Sequence, residues 1–595
     1  MTSALSLPVT PESGVPLAQR RLAYLLPALI ALGYLAAAVA LTWRLWADPS
    51  SAMVAGNPTD NDLFAWFMRY AATAVLHGHF PALITTSMNI PTGINLMWNT
   101  SLLLPAIFLT PVTALAGPQA SLTVLVTVGF AGSAASMFYL LRRLRLSLAA
   151  AAVGGAVYGF SPALLHTAVG HYNLQFAVLL PLIIDAGLRL YTSDTPAWRS
   201  GIWLGLLVTA QLLISEELLF GTAIAAALVT SVLAASRPRM AAARARHAAR
   251  GLLVAIGVVL VLAGWPLWVQ FFGPLTQHGS SFIPNFYEND VAGFVVPSSA
   301  QFLHTAASAA AAARYQGGTS EYVAYLGFPL LFILACVAVA FWRHLAVRAA
   351  AVTFIVFAVL SLGGRLLLNG HEYPNIPLPW ALLSHFPIIE SALPNRLSIF
   401  VDGAAAVLLA CGIDFARKRL GNGPPAVGLV ALAVAVTLAS LLPRPLPESP
   451  AAGLPTGWNA AFSALHLRPG ATVLVIPVPT ATLTAALRWQ AESGDRISLI
   501  GGYFQGPAFN GHAYIDGNGF PPLAAYLNDL YSGNVALTSP STSQARSTLA
   551  RWDPAAVVAA AGSRPALRAY LVGLLGPPTL STGDMLVWRH LVASG

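Results

Sequence analysis

Charge is scarce in this sequence. Asp, Glu, Lys and Arg make up 9% of its 595 residues, where a soluble domain carries about a quarter, so a water-facing globule is excluded as an account of the whole chain. Acid is scarcer than base, with Asp plus Glu at 22 against Lys plus Arg at 31, and Lys418 is the only lysine. Cysteine is limited to Cys336 and Cys411, both inside apolar stretches, which argues against a disulfide framework or a thiolate zinc site. Several chemical signatures are missing. There is no GxxxxGK[ST] loop, no GxGxxG after a strand, no His-Glu-x-x-His and no CxxC pair, so ATP-driven transport and zinc hydrolysis lose support. No basic run is interleaved with aromatics, and no nucleic-acid partner is expected.

What the chain has instead is apolar length. Hydrophobic residues reach 56% and the mean hydropathy is +0.68. Stretches of about 20 apolar residues, enough to span a bilayer, recur through the first three quarters. We read residues 1–443 as a polytopic α-helical membrane domain of about 11 transmembrane helices, at 22–43, 119–141, 148–166, 171–191, 201–216, 218–235, 251–271, 323–342, 349–363, 397–414 and 424–443. The arginines then fall on one side. Arg20 and Arg21 precede the first span; Arg142, Arg143 and Arg145 follow the second; Arg237 to Arg250 fill the loop after the sixth; Arg417, Lys418 and Arg419 follow the tenth. By the positive-inside rule that side is cytoplasmic. The expectation is a multi-pass protein of the bacterial inner (plasma) membrane with a cytoplasmic amino terminus, an uncleaved first helix and an extracytoplasmic tail.

The outer segments are the long first loop 44–118, then 272–322, 364–396 and the tail from 444. In the first loop, residues 62–77 read as an amphipathic helix with Phe64, Trp66, Phe67 and Tyr70 at the membrane interface. Residues 101–116, broken by Pro105 and Pro111, read as a short interfacial or re-entrant segment. Loop 272–322 has the length and composition of a lid. A Pro-rich linker at 443–455 leads to a tail, 444–595, where apolar runs such as Thr472–Ile476, Ile497–Ile500 and Ala555–Val558 alternate with helical stretches near 483–491, 521–531 and 565–575. That alternation predicts a C-terminal extracytoplasmic α/β domain. Trp489, Tyr503, Tyr514 and Trp588 offer faces for sugar stacking, or fill its core.

Polar residues gather at the outer face. Asp60 and Asp62 follow the first span closely in Gly56-Asn-Pro-Thr-Asp-Asn-Asp62. A carboxylate there can take the proton of a sugar hydroxyl while that hydroxyl attacks an activated anomeric carbon. His166 lies at the outer end of the third span, and His171 and Asn173 at the start of the fourth; the two histidines suit phosphate binding, metal ligation or helix capping alike. Glu216 and Glu217 lie at the outer turn between the fifth and sixth spans, where paired carboxylates need partners or a wet cavity. One of them suits pairing with Arg396 and the other contact with substrate. Glu321 lies just above the eighth span. Arg396 opens the tenth span on the outer face, against the usual preference, and an arginine so placed can hold a phosphate through paired donors.

The order of these features resembles the GT-C superfamily of integral membrane glycosyltransferases. More locally, Asp60–Trp66, Pro91-Thr-Gly-Ile-Asn-Leu-Met-Trp-Asn99, Gly170-His-Tyr-Asn173, Ser215-Glu-Glu217, Glu321–Gly327 and Pro394-Asn-Arg396 resemble a largely uncharacterised bacterial branch placed with those enzymes, over most of residues 20–443. The resemblance implies a polyprenyl-phosphate-linked sugar as donor and a cell-envelope glycan or lipid as acceptor, with transfer on the extracytoplasmic face beside membrane lipid. It makes Asp60 rather than Asp62 the preferred base, because its spacing to Trp66 matches the first-loop acid of that superfamily. Arg396, His171 and His166 become candidates to hold the donor phosphate. Glu216, Glu217, Glu321 and Asn173 become candidates to orient substrate. Some members of the superfamily need a divalent metal and others do not; Asp60, Asp62 and Glu217 make an oxygen-rich set of the kind that Mg or Mn takes. A flippase or transporter of lipid-linked sugars is the alternative, although no internal repeat is seen, and a non-catalytic envelope assembly protein is a third reading.

Overall fold

The structure is a computed structural model that describes residues 17–284, 286–386, 389–421, 423–516, 521–534, 538–562 and 564–589. The chain divides into two compact units. One comprises Met1–Trp46, Val124–Gly264 and Phe282–Pro447; the other comprises Ala47–Thr123, Trp265–Ser281 and Glu448–Gly595.

Helices dominate the first unit. Among the described residues of the whole chain, 6 helices are long and apolar enough to cross a membrane: Thr110–Arg143, Leu148–Thr167, Glu216–Ser236, Pro238–Phe272, Pro394–Leu420 and Pro424–Leu441. Shorter apolar helices occupy Leu25–Leu41, Phe328–Phe341 and Leu345–Ser361. All of them fall on predicted spans. The predicted span 171–191 is different. It is a short turn of helix, Tyr172–Gln175, followed by a separate helix of 13 residues, Leu180–Thr192. Pro181 has no N–H to give to the turn before it, so the helix starts afresh there rather than running through.

Small residues let these helices approach, as membrane packing requires. A Cβ on Gly154 would lie 2.5 Å from Leu141 Cδ1 and 3.0 Å from Ala406 O, and one on Gly205 would lie 2.7 Å from Val258 Cβ. The helix Ser398–Leu420 buries Ile399, Val401, Ala405, Leu408, Leu409 and Cys411 among its neighbours.

The loop after Phe282, read as a lid or a passive surface loop, is tied down at its start. Asn289 N–H donates to Ser361 O at 3.0 Å and its Nδ2 to Ser398 Oγ at 2.7 Å. Gly364 N–H donates to Glu288 Oε1, and Asn369 and Gly370 N–H donate to the two oxygens of Asp290 at 2.9 and 2.7 Å. The carboxylates of this loop thus satisfy the residue before the hairpin Arg365–Pro377 and the hairpin's own turn.

In the second unit residues 47–123 and the tail fold together. Strand Ala52–Val54 pairs antiparallel with Glu448–Pro450. The helix Pro58–Leu76 starts at an Asn-Pro signal, with Asn57 as N-cap and Pro58 as first residue. Phe64, Trp66 and Phe67 were expected at the membrane interface. They are buried instead, Trp66 at 0% exposure. Trp66 Nε1 donates to Gln490 Oε1 at 2.6 Å, its ring stacks on Tyr70 at 5.0 Å, and Arg69 Nε donates to Ala491 O at 2.8 Å. The apolar face of this helix is therefore protein core, packed against the helix Ala485–Glu492. Residues 101–116 form the short helix Leu103–Phe108 and the start of the next, which breaks at Gly117, φ 88°.

The tail carries a sheet of 5 strands in the spatial order Leu580–Thr582, Met585–Arg589, Ala556–Ala560, Ala471–Ile476, Ile497–Leu499. The last three run parallel. Their near-continuous apolar sequence is that of strands covered on both faces. Leu474 and Ile476 point into a cluster with Leu527, Leu549, Trp552 and Leu571 from the helices Pro522–Ser532, Thr542–Trp552 and Pro565–Leu575.

Candidate functional site

The helical unit assembles four of the predicted residues. Arg396, in the turn that opens the helix Ser398–Leu420, donates from Nη1 to Glu217 Oε2 at 2.9 Å and from Nη2 to Glu321 Oε1 at 3.2 Å. Glu217 sits in the first turn of its helix, where the macrodipole favours negative charge, and its Oε1 also accepts Leu393 N–H at 3.1 Å. Glu321 is enclosed, its side chain 1% exposed, and its Oε2 accepts from Asn395 Nδ2 at 2.7 Å. His171 Nδ1 lies 3.5 Å from Glu321 Oε1. Burial pushes the Glu321 carboxyl up, but Arg396, His171 and the bonds from Asn395 and Arg396 outweigh it and leave the group below its ordinary value. The cluster thus joins two carboxylates, a guanidinium and an imidazole. Both Nη groups of Arg396 are committed; its Nε is buried with no hydrogen-bond partner.

The other predicted residues of this unit take separate places. His166 is buried, with Nδ1 2.6 Å from Thr319 O and Nε2 3.0 Å from Ser298 Oγ. Both ring nitrogens are engaged by protein, so its geometry is that of a tie between its helix and the loop 298–319, not of a phosphate ligand. Asn173 is buried in the short helix Tyr172–Gln175, and Glu216 is the first residue of its helix.

The same unit contains a largely apolar cavity of about 640 Å³. Tyr158, Thr222, Val229, Ala349, Phe400 and Val407 are among the residues that line it. Arg143, Arg145, Asp185 and Asp194 also line it. Phe400 follows Arg396 by about one helical turn, and Thr222 follows Glu217 by little more, so part of the cavity lies close to the ion cluster along both helices.

In the second unit the two aspartates part company. Asp60 is half-buried. Its Oδ1 accepts the Tyr503 hydroxyl at 2.6 Å and its Oδ2 accepts Asn57 Nδ2 at 2.7 Å. Asp62 turns into the core at 4% exposure, where its Oδ2 accepts from Thr484 Oγ1 at 2.8 Å and its Oδ1 has no hydrogen-bond partner. Burial raises the Asp62 carboxyl, against Thr484 and Arg488. Arg488 is itself 2% exposed, donating to Gln119 Oε1 at 2.6 Å and paired with Glu492. Asp62 therefore belongs to a buried polar network and not to an accessible catalytic surface, which corrects the pairing of the two acids. The oxygen-rich set expected for Mg or Mn fits poorly, because Asp60 and Asp62 face different partners. Among the described residues no group of three or more His, Cys, Asp or Glu side chains converges as metal ligands would.

Sequence reasoning missed Asn395 and the hydroxyl role of Tyr503. Asn395 was within reach, as the residue beside Arg396 in Pro394-Asn-Arg396. Tyr503 had only the preceding Gly501-Gly502 as a sign of a turn. Of the aromatics weighed for sugar stacking, Trp489 and Trp588 are core residues and Tyr514 is exposed.

A family model described as a domain of unknown function (DUF6311) matches residues 30–440. No curated protein matches the chain. Among solved structures, the arabinofuranosyltransferase AftD from Mycobacteria superposes with a TM-score of 0.53 at 15% identity, over 90% of this chain and 35% of that one. A mutant of the same protein gives 0.53 at 14%, over 90% and 36%. The archaeal oligosaccharyltransferase AglB from Archaeoglobus fulgidus, in complex with an inhibitory peptide and a dolichol-phosphate, gives 0.48 at 13%, over 91% and 70%. The chain spans about 36% of the length of the AftD structure, and at this identity the likeness is one of fold.

Proposed function

The chain belongs to the DUF6311 family and has the GT-C fold, and on that basis we propose that it is a glycosyltransferase that moves a sugar from a polyprenyl-phosphate-linked donor to a cell-envelope glycan or lipid acceptor. The observation that carries the proposal is Asp60, an accessible carboxylate with a donor on each oxygen. In the proposed step Asp60 takes the proton of an acceptor hydroxyl as that oxygen bonds to the anomeric carbon. The bond from that carbon to the phosphate oxygen breaks, and the polyprenyl phosphate leaves with the electron pair. The apolar cavity suits the prenyl tail. Within the helical unit Arg396 and His171 remain the candidates for the donor phosphate, with Glu217 and Glu321 holding the guanidinium in place. Because two carboxylates already face Arg396, phosphate binding there requires one of them to let go. Glu216 and Asn173 remain candidates to orient the sugar. The arginine distribution favours a cytoplasmic amino terminus and transfer on the extracytoplasmic face.

The cavity also suits a protein that carries lipid-linked sugars across the bilayer, and one experiment separates the readings. Purified full-length protein in vesicles receives radiolabelled polyprenyl-phosphate sugars with envelope extract as acceptor. Label appearing in the extract supports transfer. Protein-dependent movement of the lipid between leaflets with no label transferred supports the carrier and overturns the enzyme.

A further inference from the structure

We infer that Tyr503 and Asn57 are positioning residues for Asp60, so that the C-terminal α/β segment, which lies beyond the residues 30–440 matched by the family model, is part of the catalytic apparatus. The inference rests on the reading of Asp60 as base. Tyr503 is 443 residues away along the chain, yet its hydroxyl is 2.6 Å from Asp60 Oδ1, while Asn57 Nδ2 is 2.7 Å from Oδ2. One donor on each oxygen fixes the carboxylate plane and favours its charged form, which is the form a base needs.

The fold delivers Tyr503 on a rigid mount. It follows the strand Ile497–Leu499, just past the carboxyl ends of two parallel strands, the region where α/β sheets gather their functional loops. The intervening turn uses Gly501 at φ +80° and Gly502, where a Cβ would come within 2.9 Å of Met88 Sδ. Backbone bonds lock that turn on both sides: Asn89 N–H donates to Gly501 O at 2.8 Å and Gly502 N–H to Pro479 O at 2.9 Å. Beyond Tyr503, Asp516 N–H donates to Phe504 O at 2.7 Å, and Ala481 N–H donates to Asp516 Oδ2 at 3.0 Å. A side chain that positions another must itself be held, and this one is.

Asn57 does two things with one amide. Its Oδ1 caps the helix by accepting Asp60 N–H at 3.2 Å, and its Nδ2 donates to the carboxylate. An aspartate at this position keeps the cap but turns the donor into a second negative charge. Asn57→Asp therefore separates the clamp from the cap.

The test uses the full-length chain in nanodiscs, radiolabelled undecaprenyl-phosphate sugars as donors and envelope lipid extract as acceptor. Asp60→Asn, Tyr503→Phe and Asn57→Asp are compared with wild type. Tyr503→Phe is expected to lower kcat roughly ten- to hundredfold at neutral pH, the cost of a base no longer held in its attacking geometry, with the donor KM unchanged. In both Tyr503→Phe and Asn57→Asp the acid limb of the pH–rate profile moves to higher pH, because the charged carboxylate has lost support. A second readout needs no turnover. Carbodiimide attacks protonated carboxyls, so the pH dependence of labelling at Asp60, followed by peptide mass mapping, moves the same way. An inactive Asp60→Asn alongside a Tyr503→Phe with wild-type rate limb and labelling overturns the inference and leaves the base reading standing. A loss in Tyr503→Phe with neither profile moved assigns it a merely structural role and also overturns the inference. An Asp60→Asn enzyme that transfers like wild type removes the base reading itself.

Discussion

Replacing Arg396 by Met removes the charge that holds Glu217 and Glu321 together, and the size of the loss follows from burial. The arginine side chain is 12% exposed, Glu321 1% and Glu217 22%. The substitution breaks two charge-assisted bonds and strands a carboxylate that water does not reach. Breaking a buried pair from one side costs about 3–5 kcal/mol. Asn395 Nδ2 and Leu393 N–H still serve the two acids, which puts the expectation at the lower end of that range. Adding Glu217→Gln and Glu321→Gln to Arg396→Met removes the stranded charges and restores roughly 2 kcal/mol. The assay is thermal unfolding by tryptophan fluorescence in nanodiscs across pH. Glu321 sits below its ordinary value because Arg396, His171 and two hydrogen bonds outweigh the cost of burial. Its contribution is thus present above the carboxyl's unfolded value and is lost as the pH falls through the folded one. Wild type should lose stability on that descent, and the Arg396→Met protein, already without the pairing, should lose less. An Arg396→Met protein within about 1 kcal/mol of wild type, or a triple variant no more stable than the single, refutes the reasoning.

Glu288 is the opposite case. Burial lifts it from 4.5 to about 7, although Gly364 N–H works against the lift. A carboxyl raised in this way contributes stability below its unfolded value and loses it as the pH rises through about 7. Glu288→Gln should therefore gain up to roughly 3 kcal/mol on wild type above that point and match it in mild acid; unfolding temperatures equally pH-dependent in the two proteins contradict this. Gly221→Ala pushes a methyl into Phe400, which stacks on Phe357 at 4.9 Å, and should cost about 1–3 kcal/mol of stability, read by the same unfolding assay. Val407→Trp fills part of the cavity and should raise the donor KM about tenfold, the effect of losing about 1.4 kcal/mol of tail contact, with unfolding temperature unchanged; an unaltered KM removes the cavity as tail site. Cysteines at Ser51 and Ser581 should label from outside intact cells, and labelling only after lysis overturns the proposed orientation.

The helical plan was legible because span length and apolar composition are set by the bilayer, and the parallel strands of the tail because buried strands are apolar throughout. The break between Gln175 and Leu180 was missed; its residues are as apolar as their surroundings, and Pro181 alone marks it. The helix Pro58–Leu76 shows the limit of amphipathic patterns. Phe64, Trp66 and Phe67 form a face that suits a membrane surface or a protein core equally, and the core partner, Gln490, lies 424 residues away. The ion cluster was partly readable. Scarce acids in an apolar chain demand partners, which made one of Glu216 and Glu217 a natural partner for Arg396 without saying which, while the entry of Glu321 and Asn395 depended on loop placement. Asp60 and Asp62, two residues apart and alike in type, are divided by which side of one helix each occupies.

The central claim is that Asp60 is the base for sugar transfer. Its direct measurement is the initial rate of label transfer by wild type, Asp60→Asn and Asp62→Asn, each checked for an unchanged unfolding temperature. Loss of a general base lowers turnover by about 10²–10⁴, and the account predicts that fall for Asp60→Asn and a rate close to wild type for Asp62→Asn. Wild-type transfer by a folded Asp60→Asn protein contradicts it.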